Sequence, residues 1–430
     1  MLHRLSAIAV ALLLATVLSP SPASAQQAAA AKQETPAKRD SRLGIVVLQF
    51  DDGTVGHYTH AFRILQKYGL KGSFGVVTGA FGRPGRLTAA QVVEMHRAGH
   101  EIHDHTLDHN AAFWGNPQNR AQWKEQTEQS LDILRKLGIA TRGWNQPGGQ
   151  GQAWTPQLRE TLAPYFDYVA GRVGLKPDEQ CNMHWHLKDD PFCLGYGGVG
   201  SWPMRGKKED AAKEVARTKS QIADGLQQGL VTIPLWHVIA EESGAAWGLE
   251  ELCQFLRAHR LPVMVMADAV KAVQNPRKYF DATVEQMPNP GFACDLDDNG
   301  RPDGYSRCAY APPAIKPPGG AGRIAEFADG TTTWIYGPEA GETKLSLTVR
   351  SADGVRRTLT PVLAFAEINS RYEYRWREKE RCGSIDAGAD WKTAVLPVQV
   401  GANVDRVKIE FAVSPPGKVH VGQASWRLNR

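Results

Sequence analysis

Short apolar runs alternate with stretches of helical period from Leu43 to about residue 275. The run L-G-I-V-V-L-Q-F, residues 43–50, is continuously apolar and reads as a buried strand that ends at Asp51-Asp52-Gly53. Tyr58 to Tyr68 places Ala61, Ile64, Leu65 and Tyr68 on one helical face, with Gly69 as its stop. Gly72–Val77 reads as a second strand. Thr88 and Gln91 have the spacing of a capping box and open a helix that Gly99 closes. Glu101–His103 predicts a short third strand. The alternation continues through a helix at 120–137, a strand at 139–144, a helix opened by Thr155-Pro156, and a strand at 168–170. It ends with a helix at 209–228, a strand at 230–238, a helix at 249–259, a strand at 261–266 and a helix at 267–273.

Strands separated by helices imply a parallel sheet and an α/β region. Its polar residues of chemical interest fall after strands, at Asp51-Asp52, His105, Pro147 and His237. An open doubly wound sheet fits the alternation; the spread of these residues over so many strand ends favours a barrel, whose active sites form on that face. The helical period stops near Asn275. Thr343–Val349, Thr358–Ala366, Arg371–Trp376, Lys392–Val398, Val407–Phe411 and Val419–Arg427 read as short alternating strands, the profile of an all-β sandwich. The expected organisation is an α/β domain over 43–275, a linker over 276–288 and a β domain over 289–430.

Ahead of these lies a different kind of sequence. Met1–Arg4 is positively charged, Leu5–Leu18 is apolar, and Ala23-Ser24-Ala25 has the small-x-small form of a cleavage site, so residues 1–25 read as a secretory signal peptide. Residues 26–42 read as a solvated linker rich in Ala, Gln, Lys and Pro. No stretch is apolar for long enough to cross a membrane, and the expected location is periplasmic or secreted. That compartment permits disulfides, and Cys181–Cys193 and Cys294–Cys308 are the favoured pairs among the six cysteines. The net charge of +5 is spread thinly over 430 residues, with no basic run interleaved with aromatics, which argues against a nucleic-acid partner.

The chemistry concentrates in His100–His109, H-E-I-H-D-H-T-L-D-H. His105 and His109 are four apart, and on a helical turn both imidazoles would share one face, a common grip for a divalent ion. His100 and His103 stand close enough to be alternative ligands. A third ligand is needed, and Asp51-Asp52 is the best source: one carboxylate can bind metal while the other acts as a general base. His237 ends an apolar strand, where it is either a satisfied core group or an acid toward a leaving group. Further on, Asp295, Asp297, Asn299 and Asp303 recur at calcium-loop spacing around Gly300, although Ser306 stands where a full loop would carry Glu. A calcium-bound loop and a solvated polar turn pinned by Cys294 and Cys308 both account for this pattern.

The order D-D-G, H-T-x-x-H, a P-G-G loop and L-x-H resembles the polysaccharide deacetylases, the family 4 carbohydrate esterases, over residues 43–275. The resemblance implies a distorted (β/α)7 barrel and removal of N- or O-acetyl groups from a polysaccharide with a divalent metal, usually zinc. It implies Asp52, His105 and His109 as metal ligands, Asp51 as the base that activates a metal-bound water, and His237 as the acid. It also implies Leu235 at the acetyl methyl pocket and the Gly148 N–H as an oxyanion donor, with Asn145, Pro147 and Trp236 beside the substrate. Two departures stand out. Asn145 replaces the arginine that tunes the base in the family, and Arg142 is three positions away. The family's Asp-Trp pair behind the catalytic histidine is not legible, leaving Asp167 or Asp178 to supply a carboxylate. The β region resembles, more loosely, the carbohydrate-binding modules found beside such enzymes, through N-P-G-F-x-x-D and the late W-R-L strand. Two other readings are kept: a polysaccharide-binding protein with a catalytically weak barrel, and a related barrel hydrolase of small C–N bonds.

Overall fold

The computed structural model describes residues 44–114, 116–148, 156–170, 184–185, 208–240, 243–274, 292, 295–311, 315, 323–336, 338, 340–368, 374–377 and 379–428. The expected signal peptide, both expected linkers, Asp178 and the Cys181–Cys193 pair lie outside the described residues.

The apolar run at the start of the α/β region forms two short strands, Ile45–Val46 and Gln49–Phe50, which hand over between different neighbours. Ile45 and Val46 pair in parallel with Val231 and Thr232. Gln49 and Phe50 pair in parallel with Ser73 and Phe74 on one side and with Leu235 and Trp236 on the other. The main sheet is six-stranded, in the order Tyr168–Ala170, Gly143–Asn145, Glu101–Asp104, Ser73–Val76, Gln49–Phe50, Leu235–Trp236. Every pairing in it is parallel, and the strand ends at Phe50, Asp104, Asn145 and Trp236 therefore open toward one side. The strand expected over 261–266 is reduced to one bridge, Val46 to Val263.

The helices follow the apolar period. Ala89–Arg97 opens with the Thr88–Gln91 capping box. Arg63–Tyr68 stops at Gly69, whose φ of 62° suits a residue without Cβ. The turn before it, His57–Phe62, is a π-helix, which sequence period does not reveal. Behind the sheet Phe50 stacks between Phe74 and Trp236, with centroids 4.6 and 5.3 Å away. All three are fully buried, and each contributes on the order of 2 kcal/mol of burial.

From Tyr305 onward the described regular structure is antiparallel β. Two strands that the sequence pattern does not show, Tyr305–Tyr310 and Ala325–Tyr336, pair with each other. Ala325–Tyr336 joins the two halves of the sheet, pairing Val419–Leu428 through its start and Val404–Ser414 through its end. Leu345, Leu347 and Val349 share one buried cluster with Leu359, Leu363, Phe365, Val407, Ile409 and Phe411, so the sheet folds over a single core as a sandwich does. Cys308 is a half-buried free thiol, and Cys294, its expected partner, lies outside the described residues. Burial pushes the Cys308 thiol up to about 12.

Candidate active site

Asp51 and Asp52 follow the strand Gln49–Phe50, between the strands that carry His105 and His237. Asp52 adopts φ 79° and Gly53 φ 60°. This left-handed turn, tight against Val76, separates the two carboxylates. Asp51 stays in the sheet, where its N–H donates to the Trp236 carbonyl at 2.9 Å, and it is 1% exposed. The Asp52 carboxylate turns toward the histidines.

The expected helical turn under His105 and His109 is absent. His105 follows the strand Glu101–Asp104, and the next helix begins at Ala111. The intervening loop bends twice through left-handed conformations, at Thr106 (φ 69°) and His109 (φ 59°). Asp104 Oδ1 accepts from the Thr106 N–H at 3.0 Å, and Thr106 Oγ1 accepts from the His109 N–H at 2.9 Å. These two bonds return His109 to His105, with ring centroids 4.8 Å apart. Such conformations cost about 1–3 kcal/mol each in residues with side chains, and they persist where the surroundings enforce them.

The ligand atoms of Asp52, His105 and His109 lie within 4.8 Å of one another. Asp52 Oδ1 is 3.4 Å from Nε2 of His105 and 3.1 Å from Nε2 of His109, yet this buried oxygen accepts no hydrogen bond. The reason lies behind His105, where Nδ1 meets the Asn145 carbonyl at 3.1 Å. A carbonyl can only accept, so Nδ1 carries the hydrogen and Nε2 presents a lone pair toward the carboxylate. Lone pairs converging on one point fit a divalent ion, and the N2O donor set suits zinc or a similar metal. Burial lowers the His105 imidazole, but Asp51 and Asp52 outweigh it and raise the group above its ordinary 6.5. Burial likewise opposes ionisation of Asp51 and Asp52, but the surrounding imidazoles when protonated, His105 foremost, hold both carboxyls well below the usual carboxylate range.

Of the other histidines near this stretch, His100 is buried among Phe62 and Phe74 and accepts from the Gly72 N–H at 3.1 Å. His103 is fully buried, at 2.8 Å from Gln49 Nε2 and 3.1 Å from the Tyr168 hydroxyl. Neither joins the Asp52 cluster. Asp51 Oδ1 accepts from Gln49 Nε2 at 2.6 Å and from Asn145 Nδ2 at 2.8 Å. Gln49 was not among the expected site residues; a polar side chain inside an apolar run beside D-D-G was the available signal.

His237 follows the strand Leu235–Trp236, opposite Asp51 by register. Its carbonyl accepts from Thr54 Oγ1 at 3.1 Å and faces His57 Nε2 at 2.9 Å, which fixes the backbone beneath the ring. Leu235 is 3% exposed. Trp236 does not reach substrate: its ring is fully buried on Phe50. Strand alternation turns it to the opposite face from Leu235 and His237. Pro147 is buried and Gly148 exposed, the latter at φ 73° in a turn closed against Ala111. Arg142 and Asp167 pair with each other at 2.6 Å, away from Asp51 and His237.

The acidic loop brings oxygens of Asp295, Asp297 and Asp303 within 4.8 Å of one another. Asn299 is turned into the loop itself: its Nδ2 donates to Asp297 Oδ2 at 2.8 Å and its Oδ1 accepts from the Arg301 N–H. Arg301 also reaches Asp224 on the helix Lys208–Gln227, at 3.1 Å, and the Gly304 N–H donates to the same carboxylate at 2.6 Å.

Residues 38–163 match a family model described as polysaccharide deacetylase. That stretch holds Asp51, Asp52, His105, His109, Asn145, Pro147 and Gly148 and ends before Leu235 and His237. The Bacillus subtilis (strain 168) protein named putative polysaccharide deacetylase YxkH is 38% identical over 64 residues, 15% of this chain and 23% of that protein. The chain thus spans less than a quarter of the length of the curated relative it matches. Among solved structures, IcaB from Ammonifex degensii is 28% identical, with a TM-score of 0.27 over 31% of this chain and 68% of that one. A family 4 acetyl xylan esterase from Clostridium thermocellum, in complex with a cobalt ion, is 19% identical, with a TM-score of 0.37 over 53% of this chain and 90% of that one. The peptidoglycan deacetylase PdaC from Bacillus subtilis is 18% identical, with a TM-score of 0.37 over 55% of this chain and 94% of that one.

Proposed function

We propose that the protein is an exported, metal-dependent hydrolase that removes acetyl groups from a polysaccharide. The observation that carries this reading is the convergence of Asp52 Oδ1 with Nε2 of His105 and His109, one residue from the buried carboxylate of Asp51. A divalent ion held by Asp52, His105 and His109 supplies Lewis acidity toward the acetyl carbonyl and makes water easier to deprotonate. Asp51, kept ionised, takes the proton of the attacking water. The Gly148 N–H donates to the developing oxyanion. His237, opposite Asp51 by register, returns a proton to the departing amine or alcohol. Leu235 faces the acetyl methyl group. In this reading the parallel sheet belongs to a distorted (β/α)7 barrel, and the β domain holds polysaccharide near it.

Acetate release from chitin oligomers, peptidoglycan and acetylated exopolysaccharide tests the proposal, with zinc-loaded protein and an Asp51→Asn control. Release that disappears in the control is the expected result; none from any glycan with zinc bound refutes it. Asn145 in place of arginine also supports a second reading, a polysaccharide-binding protein with weak catalysis, which glycan retention without acetate release would favour. For the acidic loop, calcium is a separate proposal. Addition of Ca2+ to chelator-treated protein should raise the unfolding temperature, and an Asp303→Asn variant should lose that rise; no change in the parent refutes it.

A further inference from the structure

Gln49, His103, Tyr168 and Glu101 form one buried hydrogen-bonded line across three strands of the sheet, ending on Asp51. Asp51 Oδ1 takes the Gln49 amide at 2.6 Å, and the same nitrogen lies 2.8 Å from His103 Nε2. His103 Nδ1 is 3.1 Å from the Tyr168 hydroxyl, which donates to Glu101 Oε1 at 2.9 Å. Glu101 is anchored in turn by Ser73 Oγ at 2.9 Å and the Ala267 N–H at 3.0 Å.

The direction of each bond in this line follows from the chemistry of its neighbours. Gln49 presents its amine to Asp51, because a flipped amide would set oxygen against oxygen at 2.6 Å. Both amine hydrogens are then used, one on Asp51 and one on His103 Nε2. His103 accepts at Nε2 and carries its hydrogen on Nδ1, directed at Tyr168. The tyrosine passes its own hydrogen to Glu101. Reversing the glutamine would break the sequence at both ends.

Two glycines make room for it. A Cβ at Gly75 would lie 2.8 Å from Asp51 Oδ1 and 3.0 Å from His103 Nε2, and one at Gly143 would overlap the Tyr168 ring. Gly75 sits inside a strand and Gly143 opens one, positions where glycine marks close approach. Asn145 supplies the second amide, at 2.8 Å, to the same Asp51 oxygen.

We propose that Gln49 is a positioning residue for Asp51, its amide held in one orientation by the His103–Tyr168–Glu101 line. With Asn145 it grips Oδ1 and fixes the plane of the carboxylate by neutral donors instead of a guanidinium. The inference rests on the proposed role of Asp51 as base.

The test uses the full-length, zinc-loaded chain and the variants Gln49→Met and Tyr168→Phe. Histidine-selective 15N spectra, with His103 assigned through a His103→Gln variant, report which ring nitrogen carries hydrogen. The expected result is hydrogen on Nδ1 in the parent, and a changed His103 signal in both variants. Acetate release should fall on the order of 100-fold in kcat for Gln49→Met and about 10-fold for Tyr168→Phe. KM and zinc stoichiometry should stay unchanged, which separates positioning from general damage to the fold. Hydrogen on Nε2, or kcat within two-fold of the parent for a zinc-replete Gln49→Met, overturns the inference. If the parent releases no acetate yet His103 shows the expected tautomer and responds to both variants, the proposed function fails while the line itself stands.

Discussion

His100 gives the most direct link between burial and a measurable property. Its ring is 2% exposed, edge-on to Phe62 and Phe74, with Nδ1 accepting from the Gly72 N–H. Burial, with Lys71 nearby, lowers its pKa from 6.5 to about 4. The unfolded chain therefore takes up a proton near pH 6.5 that the folded chain refuses until about pH 4. Stability from this group is fully present above pH 6.5 and is lost as pH falls toward 4. The full difference is about 3 kcal/mol, of which about 2 kcal/mol is gone by pH 5. His57, lowered to about 4 by burial, acts in the same direction. Asp104 acts in the opposite one: burial raises it to about 6, so its folded form keeps a proton that the unfolded chain releases between 3.8 and 6. A single pH curve mixes these groups, and a variant isolates one of them. His100→Gln keeps an acceptor for Gly72 and cannot take charge. Lost ring packing should make it less stable than the parent by about 1–2 kcal/mol at pH 7.5. Between pH 7.5 and 5 the parent should lose about 2 kcal/mol more than the variant, so the two approach or cross. Urea unfolding followed by tryptophan fluorescence at both pH values measures this. Parallel losses, within about 0.5 kcal/mol, would refute the burial argument.

Other consequences are more local. His105→Ala removes one of the three candidate ligands, and zinc bound after dialysis should fall to background by elemental analysis while the β domain keeps its circular dichroism. Gly75→Ala drives a Cβ against Asp51 Oδ1 at 2.8 Å; it should cost about 1–3 kcal/mol by thermal unfolding and lower acetate release more than it lowers zinc content. Asp224→Asn weakens the grip on Arg301 and the Gly304 N–H. Limited proteolysis between the α/β and β regions should quicken, with a loss of about 1–3 kcal/mol.

The sequence announces those parts of the molecule that depend on period and punctuation. The capping box at Thr88, the Gly69 stop and the long helices at Arg120–Lys136 and Lys208–Gln227 all stand where their patterns put them. So do the alternating strands Gly341–Ser351 and Val419–Leu428. What the pattern misreads depends on contacts made across the fold. The spacing of His105 and His109 suggested a helix, yet the chain reaches the same juxtaposition through two left-handed residues held by Asp104 and Thr106. The resemblance puts Trp236 beside the substrate, whereas its ring is buried on Phe50 and strand alternation turns it to the other face from His237. Tyr305–Tyr310 and Ala325–Tyr336 carry too many polar residues to read as strands; they pair with each other, and Ala325–Tyr336 also pairs with Val404–Ser414 and Val419–Leu428.

The site divides its work between two kinds of backbone. The candidate metal ligands Asp52 and His109 both sit in left-handed turns. Three directional bonds to a cation can correct small errors in such loops, so the ion itself completes the geometry. A base has no such correction, because its carboxylate must meet a water and a carbonyl at one angle. Asp51 accordingly stays tied to the neighbouring strand through its N–H on the Trp236 carbonyl, buried, with one oxygen held by two amides. Those amides come from Gln49, on its own strand, and Asn145, at the end of another. Asn145 also turns His105 through its backbone carbonyl. One residue thus holds the proposed base by its side chain and a candidate metal ligand by its main chain. A change of side chain at 145 should disturb the first far more than the second, leaving zinc affinity nearly intact while acetate release falls.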